Sequence, residues 1–123
     1  MAKFGKGFGI EIGEGSSLGP YCHYPNNIKI GSYVMFGPHC YITENMTHEH
    51  SRLDIPIGCQ GMTSVKRRTE IGDDVWFGRQ VIMMCGKHVG SHTIIAAGAV
   101  VCKDVPDYVI AGGNPVQVIK KRE

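Results

Sequence analysis

The sequence lacks any apolar run long enough to cross a bilayer, and its first residues have no hydrophobic segment typical of a signal peptide. We therefore expect no membrane span and a cytoplasmic location. A strong charge of either sign is also missing. Its 13 Lys and Arg residues against 11 Asp and Glu residues give a formal net charge of +2. Charge therefore gives no reason to expect a nucleic-acid partner.

Cysteine occurs in an odd number and without paired spacing. The five cysteines are Cys22, Cys40, Cys59, Cys85 and Cys102. Because no two of them form a Cys-x-x-Cys motif, neither a disulfide framework nor a zinc knuckle is expected. We interpret them as buried reduced thiols and expect no metal site.

Glycine, by contrast, is abundant. The 123 residues include 17 Gly, about twice the ordinary frequency, without the every-third spacing of collagen. The length corresponds to a single domain over residues 1–123. Many of these glycines fall at regular positions in a repeat.

The repeat is clearest from residue 71 to residue 106, where a large apolar residue returns at every sixth position. These anchors are Ile71, Phe77, Met83, Val89, Ile95 and Val101. A lone strand repeats every two residues and a helix every 3.6, so a period of six predicts short strands joined by regular corners. Gly follows several anchors, which suggests a tight backbone corner.

A second inward position, four residues after each anchor, carries small or β-branched residues such as Val75 and Ala99. The same period continues backwards through Phe36, Tyr24 and Leu18 to about Gly9. Cys22 and Cys40 are three hexads apart, so a three-sided coil would stack them at roughly the 4.8 Å spacing of neighbouring strands. Residues 3–9 are expected to form an irregular first edge.

The repeat is interrupted once, at about residues 43–69. This polar segment contains His48, His50 and the basic run 66–68. Because a long excursion from a regular solenoid is more often functional than accidental, we expect it to carry the active site. After the repeat ends, a tail over about residues 107–123 turns at Gly112–Pro115 and closes with a strand or a short helix.

Three segments then resemble the hexapeptide-repeat acyltransferases, in particular the maltose, galactoside and capsular-polysaccharide O-acetyltransferases. They run from Ile71 to Gly78, from Ala96 to Pro106 and from Ile110 to Lys120. The resemblance implies an all-β fold, a left-handed parallel β-helix, and a homotrimer with its active site between subunits. It also implies an acetyl-CoA-dependent O-acetyltransferase that acts on a hydroxyl of a sugar or polysaccharide precursor.

In that family the catalysis depends on a loop histidine, and His48 is the nearest match because an Ile-Pro-Ile sequence follows it at residues 55–57. His50 is the second candidate. A hydroxyl has too high a pKa to attack a thioester unaided, so a neutral imidazole would remove its proton.

The resemblance also implies the residues that bind the acetyl donor. Trp76 and Gly78 would lie at the edge of the active site, Ala97 and Gly98 would form the corner along which the pantetheine lies, and Lys103 and Lys120 would contact the phosphates.

Two features depart from the family. Met83–Gly90 replaces the usual proline-glycine corner and places Lys87 at an inward position, and the N-terminal helical segment of the maltose branch is missing from this sequence. Two alternatives also stay open. The first is a γ-carbonic-anhydrase-like zinc protein using His88 and His92, although their spacing differs from that family's. The second is a non-catalytic interaction module.

Overall fold

Short parallel strands stack into three faces along the chain. In the computed structural model, which describes residues 9–123, Ile10 pairs with Ile28 and Trp76 pairs with Ile94. Hydrogen bonds likewise join residues 18 positions apart, so one coil takes three hexads. The fold is the predicted left-handed parallel β-helix.

The first face contains β1 (Ile10–Ile12), β2 (Ile28–Ile30), β7 (Thr69–Ile71) and β10 (His88–Val89). The second contains β3 (Met35–Phe36), β8 (Trp76–Phe77), β11 (Ile94–Ile95), β13 (Val109–Gly112) and β14 (Gln117–Lys121). The third contains β4 (Tyr41–Ile42), β9 (Ile82–Met83) and β12 (Val100–Val101). Outside the faces, β5 (Met46–His48) and β6 (Met62–Ser64) form a hairpin, with a 3₁₀ turn at Ile57–Cys59 between them.

The hexad anchors form the core, as the period predicts. Ile30, Ile71 and Val89 stack along the first face, and each is buried. On the second face the Phe36 and Phe77 rings are parallel, with centroids 4.7 Å apart. Burial of these side chains removes a continuous apolar column from water, which is the main force that holds successive coils together.

The predicted stacking of Cys22 and Cys40 is confirmed. The amide of Cys40 donates to Sγ of Cys22 at 3.3 Å, and the Cys40 thiol donates to the carbonyl of Gly78 at 3.2 Å. Burial raises the pKa of the Cys40 thiol above its ordinary value. The thiol therefore stays protonated near neutral pH, and we interpret it as a core residue. The prediction that the cysteines are buried is wrong for the other four, because Cys59 is exposed in the insertion and Cys22, Cys85 and Cys102 are only half-buried.

The predicted cost of a Cβ on the glycine after each anchor is confirmed, but this cost does not come from a positive φ. The left-handed corner residue comes three positions after the anchor, as at Asp74, Gln80, Gly86, His92 and Gly98. Gly72, Gly78 and Gly90 instead lie against the next coil. A Cβ on Gly78 would come 2.6 Å from the amide nitrogen of Ala97, so close stacking of the coils, rather than a positive φ, requires glycine there.

The first coil also differs from the prediction. Leu18 is 47% exposed although the period assigns it to the core. Within residues 9–123 its coil has another coil on one side only, so its side chain is incompletely covered. Residues 3–8 of the predicted irregular edge lie outside the described residues.

The interruption lies between the third face and the first. Hydrogen-bonded residues of consecutive coils are here 41 positions apart instead of 18. Arg68, at the end of this insertion, donates to Glu11 at 2.8 Å and to the carbonyl of Gly9 at 2.8 Å. The insertion therefore leaves and re-enters the helix without breaking the stack.

At the other end, the tail is a strand rather than a helix. β14 runs antiparallel to β13, and the turn between them contains a cis peptide bond at Asn114–Pro115. Within residues 9–123, no helix is long and apolar enough to cross a membrane.

Candidate active site

The hairpin is held by its own hydrogen bonds. Its two strands are antiparallel, with His48 opposite Met62. At its tip, the side-chain amide of Gln60 donates to the carbonyl of Arg52 at 2.8 Å and accepts from the Arg52 amide at 3.1 Å. An ordered tip can position a side chain that takes part in chemistry.

Two histidines lie at the end of β5, and both are exposed. Nδ1 of His50 lies 3.0 Å from the carbonyl oxygen of His48. Because a carbonyl only accepts, Nδ1 is the donor in this contact, so Nε2 is the nitrogen that can act as an acceptor in a neutral ring. Within residues 9–123 the His48 ring has no hydrogen-bond partner. The geometry thus fixes the tautomer of the second candidate and leaves the ring of the first unrestrained.

Trp76 lies on the outer surface of the second face and is 50% exposed. Its strand neighbours on either side are Met35 and Ile94. A groove of about 200 Å³ beside the indole is also lined by Tyr33 and Arg122. An aromatic and aliphatic surface of this kind suits an acceptor or a cofactor.

The groove ends at a cluster of side chains around Asp74. Its Oδ2 accepts from Nδ1 of His92 at 2.9 Å and from Nη1 of Arg122 at 3.0 Å. Hydrogen bonds from His92 and then from Arg122 hold the pKa of Asp74 below its ordinary value. The His92 ring also stacks on Tyr108, with centroids 4.8 Å apart. Sequence reasoning missed this cluster because Asp74 and Arg122 are far apart in the chain.

The residues predicted to hold the donor lie at the corner between the second face and the third. Ala97 and Gly98 are exposed, and a Cβ on Gly98 would have no neighbour within 4 Å. This corner is therefore open to a ligand. Gly78 is different, because it lies against Ala97 and serves the stacking of coils.

The two predicted phosphate contacts lie at the C-terminal end of the helix. Nζ of Lys103 donates to Oε1 of Gln117, the first residue of β14, at 3.2 Å. Lys120 pairs with Ile110, and with Lys121 and Arg122 it lines a groove of about 470 Å³. Both lysines are exposed.

The unusual corner at residues 83–90 is explained by the insertion. The amide of the buried Gly86 donates to Oγ1 of Thr69 at 2.8 Å, and its carbonyl accepts from Nη1 of Arg67 at 3.0 Å. A Cβ on Gly86 would come 2.9 Å from Cγ1 of Val65. Lys87 is only partly buried, so it is not a core residue. The corner at Gly86 therefore packs against the C-terminal end of the insertion.

His88 and His92 take part in other interactions. Nε2 of His88 lies 3.0 Å from the carbonyl of Arg68, and His92 contacts Asp74. Over residues 9–123, no three or more His, Cys, Asp or Glu side chains form a group suited to a metal ion.

Comparisons with known proteins agree with this fold. Residues 9–44 match the family described as bacterial transferase hexapeptide (six repeats). The chain is 36% identical over 118 residues to the provisionally named acetyltransferase YJL218W of Saccharomyces cerevisiae, covering 82% of this chain and 59% of that protein.

Two solved structures are also similar. A maltose O-acetyltransferase from Clostridium difficile 630 aligns with a TM-score of 0.77 and 33% identity, over 93% of this chain and 59% of that one. A galactoside acetyltransferase solved in complex with coenzyme A aligns with a TM-score of 0.64 and 23% identity, over 93% of this chain and 66% of that one. The chain thus spans little more than half the length of the first two relatives.

Proposed function

This chain belongs to the hexapeptide-repeat acyltransferases, and from that membership we propose that it transfers an acetyl group from acetyl-CoA to a hydroxyl of a sugar or polysaccharide precursor. The observation that carries the proposal is the exposed histidine pair on an ordered hairpin inserted into a hexapeptide-repeat helix. The names of the maltose and galactoside enzymes support the acceptor class.

We assign His48 as the general base. In the first step its imidazole removes the proton from the acceptor hydroxyl while the oxygen attacks the thioester carbonyl. The tetrahedral oxyanion collapses, the carbon–sulfur bond breaks, and the CoA thiolate takes up the proton from the His48 imidazolium, which restores the neutral base. Backbone N–H groups at a corner would stabilise the oxyanion. Both substrates react directly, so no acyl-enzyme and no cysteine nucleophile are needed.

His50 is the alternative base. Because its Nδ1 donates to the His48 carbonyl, Nε2 is the nitrogen of the neutral ring that would accept the proton of the hydroxyl. The sequence context favours His48, whereas this one contact favours His50. Both residues lie at the same end of the hairpin, so the choice does not change the reaction.

The donor would lie along the second face and its corner. The open position at Gly98 allows the pantetheine to approach the backbone closely, and Lys103 and Lys120 would form charge-assisted contacts with the phosphates. The galactoside acetyltransferase of the same fold, solved with coenzyme A, supports this donor class. Trp76 would form part of the wall beside the reacting groups.

Replacement of the histidines tests the assignment. We expect His48→Ala to lower the rate constant of acetyl transfer by roughly 10²–10⁴, the ordinary contribution of a positioned base, and His50→Ala to have a mild effect. Acetyl-CoA binding, measured by titration, should be unchanged in both variants because the base does not hold the donor.

The reverse pattern would identify His50 as the base. The proposed mechanism fails if neither change slows transfer to maltose, methyl galactoside or any other accepted hydroxyl compound. Absence of acetyl-CoA binding by the parent protein would instead favour a non-catalytic module.

A further inference from the structure

Two grooves on the second face meet at the side chain of Arg122. The first, here called the indole groove, is the one of about 200 Å³ beside Trp76. The second, here called the tail groove, has a volume of about 470 Å³ and is lined by Ile94, Ile110 and residues 120–123. Ile94 and Arg122 line both grooves. Arg122 therefore lies at the boundary between an aromatic surface and a basic one.

Arg122 is held at this boundary by the corner that precedes β8. Asp74, His92 and Tyr108 occupy the same left-handed corner position in three successive coils, and the Arg122 amide donates to the Tyr108 carbonyl at 2.8 Å. Nη1 of Arg122 donates to Oδ2 of Asp74 at 3.0 Å. The side chain therefore crosses the coil of His92, a distance of two strand spacings or about 10 Å. Nδ1 of His92 donates to the same carboxylate oxygen at 2.9 Å and helps to fix it.

The ion pair leaves part of the guanidinium free for a ligand. Nε and Nη2 of Arg122 have no hydrogen-bond partner within residues 9–123, and the side chain is 40% exposed. The Asp74 side chain is 48% exposed, so the pair adds little to folding stability. Its main consequence is the position of the guanidinium, because a long arginine side chain otherwise samples many rotamers.

The charges of the tail groove favour a phosphate. Lys120 and Lys121 add two ammonium groups to the guanidinium, against the single carboxylate side chain of Glu123. Lys120 precedes Arg122 by two residues, so both side chains lie on one side of the strand, with their Cα atoms roughly 7 Å apart. A guanidinium and an ammonium at this spacing can both contact phosphate oxygens. The isoleucines of the groove supply an apolar surface for the organic part of such a ligand.

We propose that Arg122 binds a phosphate of the acyl donor and that Asp74 is a positioning residue, which holds the guanidinium at the tail groove. This inference rests on the proposed function. Asp74 lines the indole groove and not the tail groove, so it acts on the donor through Arg122. A carboxylate close to a bound phosphate would by itself repel it. The positioning effect and the repulsion therefore have opposite signs, and one substitution can distinguish them.

Replacement of Asp74 by asparagine separates positioning from repulsion. Asparagine keeps the size of the side chain and tolerates the left-handed backbone at this corner, but it removes the charge that orients Arg122. We expect Asp74→Asn to weaken coenzyme A binding roughly three- to tenfold, measured by calorimetry with the full chain. If the carboxylate acted on the ligand only through its charge, the variant would bind coenzyme A more tightly, and that result would overturn the inference.

Arg122→Gln tests the phosphate contact itself. We expect it to weaken coenzyme A binding roughly five- to twentyfold. The double variant Asp74→Asn/Arg122→Gln should lose no more than Arg122→Gln alone, because Asp74 acts through Arg122. Losses that add in full would contradict the positioning role.

Dephospho-coenzyme A identifies the phosphate. An effect of Arg122→Gln on both ligands would assign the contact to the pyrophosphate, and an effect confined to coenzyme A would assign it to the 3′-phosphate. An effect on neither ligand would refute the contact.

Arg67→Gln is the matched control. Arg67 and Asp104 form another Arg–Asp pair, with side chains 49% and 52% exposed, at the end of the insertion. Its loss should leave coenzyme A binding at the parental value. A loss of affinity equal to that of Asp74→Asn would show a general effect of broken ion pairs and would contradict the inference.

Binding and transfer together separate this inference from the proposed function. Coenzyme A binding that depends on Asp74 and Arg122, without acetyl transfer to any hydroxyl compound, would support the inference and refute the activity. In an active enzyme, we expect both variants to raise the KM for acetyl-CoA and to leave the sugar KM and the rate constant at saturation unchanged. Acetyl transfer with a parental acetyl-CoA KM in both variants would refute the inference and leave the activity intact. A parent protein that does not bind coenzyme A would also overturn the inference.

Discussion

At the scale of single residues, glycine has two different roles in this helix. Gly78 has ordinary backbone angles but lies against Ala97, whereas Gly98 has φ +76° and open space around it. The first glycine is required by the neighbouring coil, whereas the second is only favoured by its left-handed backbone, which Asp74 and His92 adopt at the same corner position. These roles have different consequences for stability and for ligand access.

Substitution by alanine separates the two roles. We expect Gly78→Ala to lower the free energy of unfolding by about 2–4 kcal/mol, because a Cβ there would meet the backbone of Ala97 at 2.6 Å and neighbouring coils would have to separate. Gly98→Ala should cost about 1–2 kcal/mol, since only the left-handed backbone is strained. Urea unfolding measures both.

Gly58→Ala is the matched control, because Gly58 has an ordinary φ and no neighbour within 4 Å of the added Cβ. It should be neutral within about 0.5 kcal/mol. Equal losses for the Gly78 and Gly98 variants would contradict the close-stacking argument.

This residue scale also shows the limit of reasoning from the sequence. The period of six identified the positions of Phe77 and Ile95 in the core, because burial of large apolar residues follows directly from spacing. It did not distinguish a glycine needed for close approach from one needed for a positive φ, since both appear as glycine. The exposure of Leu18 was missed for a related reason, because the period does not show which coil has a neighbouring coil on one side only.

At the scale of elements, the insertion is attached to the helix by charged residues at its returning end. Arg68 is largely buried, and it donates to Glu11, Asn27 and two backbone carbonyls. Arg67 makes two hydrogen bonds of 2.9 Å to Asp104. The sequence showed these residues only as a basic run, because their partners lie in other coils and the hairpin itself has no hexad pattern.

The Arg67–Asp104 pair predicts a pH dependence. Hydrogen bonds from Arg67 and from the His88 amide lower the pKa of Asp104 to about 2 from an ordinary 3.8. Because the pKa is lower in the folded state, the pair stabilises the fold above about pH 4, and this contribution is lost as the pH falls from 4 to 2. Both side chains are about half exposed, so we expect about 1 kcal/mol or less after solvent screening.

Urea unfolding of the parent protein and of Asp104→Asn between pH 7 and pH 3 measures this contribution. The variant should be less stable at pH 7, and the difference should shrink as the pH approaches 3. The double variant Arg67→Met/Asp104→Asn is the control, because it removes both charges and should show the same weak pH dependence as Asp104→Asn. A difference that stays constant down to pH 3 would show that Asp104 does not titrate as an ion-paired group.

At the scale of the whole molecule, the three faces differ in the chemistry of their outer surfaces. The first presents Glu11, Lys29, Glu70 and His88 in adjacent strands. On the third face, Tyr41, Ile82 and Val100 form an apolar row. Apolar residues also form the corresponding row on the second face, with Met35, Trp76, Ile94 and Ile110. Two of the three outer surfaces are therefore suited to burial.

A β-helix with two different apolar outer surfaces is suited to a cyclic assembly. Each subunit can then use one of these surfaces toward each of its two neighbours, and the ring closes. We accordingly propose a homotrimer. Such an arrangement would also give the exposed His48 a second wall, contributed by a neighbouring subunit. Formation of the trimer would then both cover the two apolar surfaces and complete the active site.

We expect sedimentation velocity to give a trimer for the parent protein and a monomer for Ile82→Glu, because a carboxylate in the apolar row would be buried without a partner at a subunit contact. Lys29→Glu, which makes a comparable change on the charged face, should remain trimeric. If the active site is shared, the Ile82→Glu monomer should lose acetyl transfer while its far-ultraviolet circular dichroism stays parental. A parent protein that sediments as a monomer and still transfers acetyl groups would refute the shared site, because one helix would then supply every wall that the reaction needs.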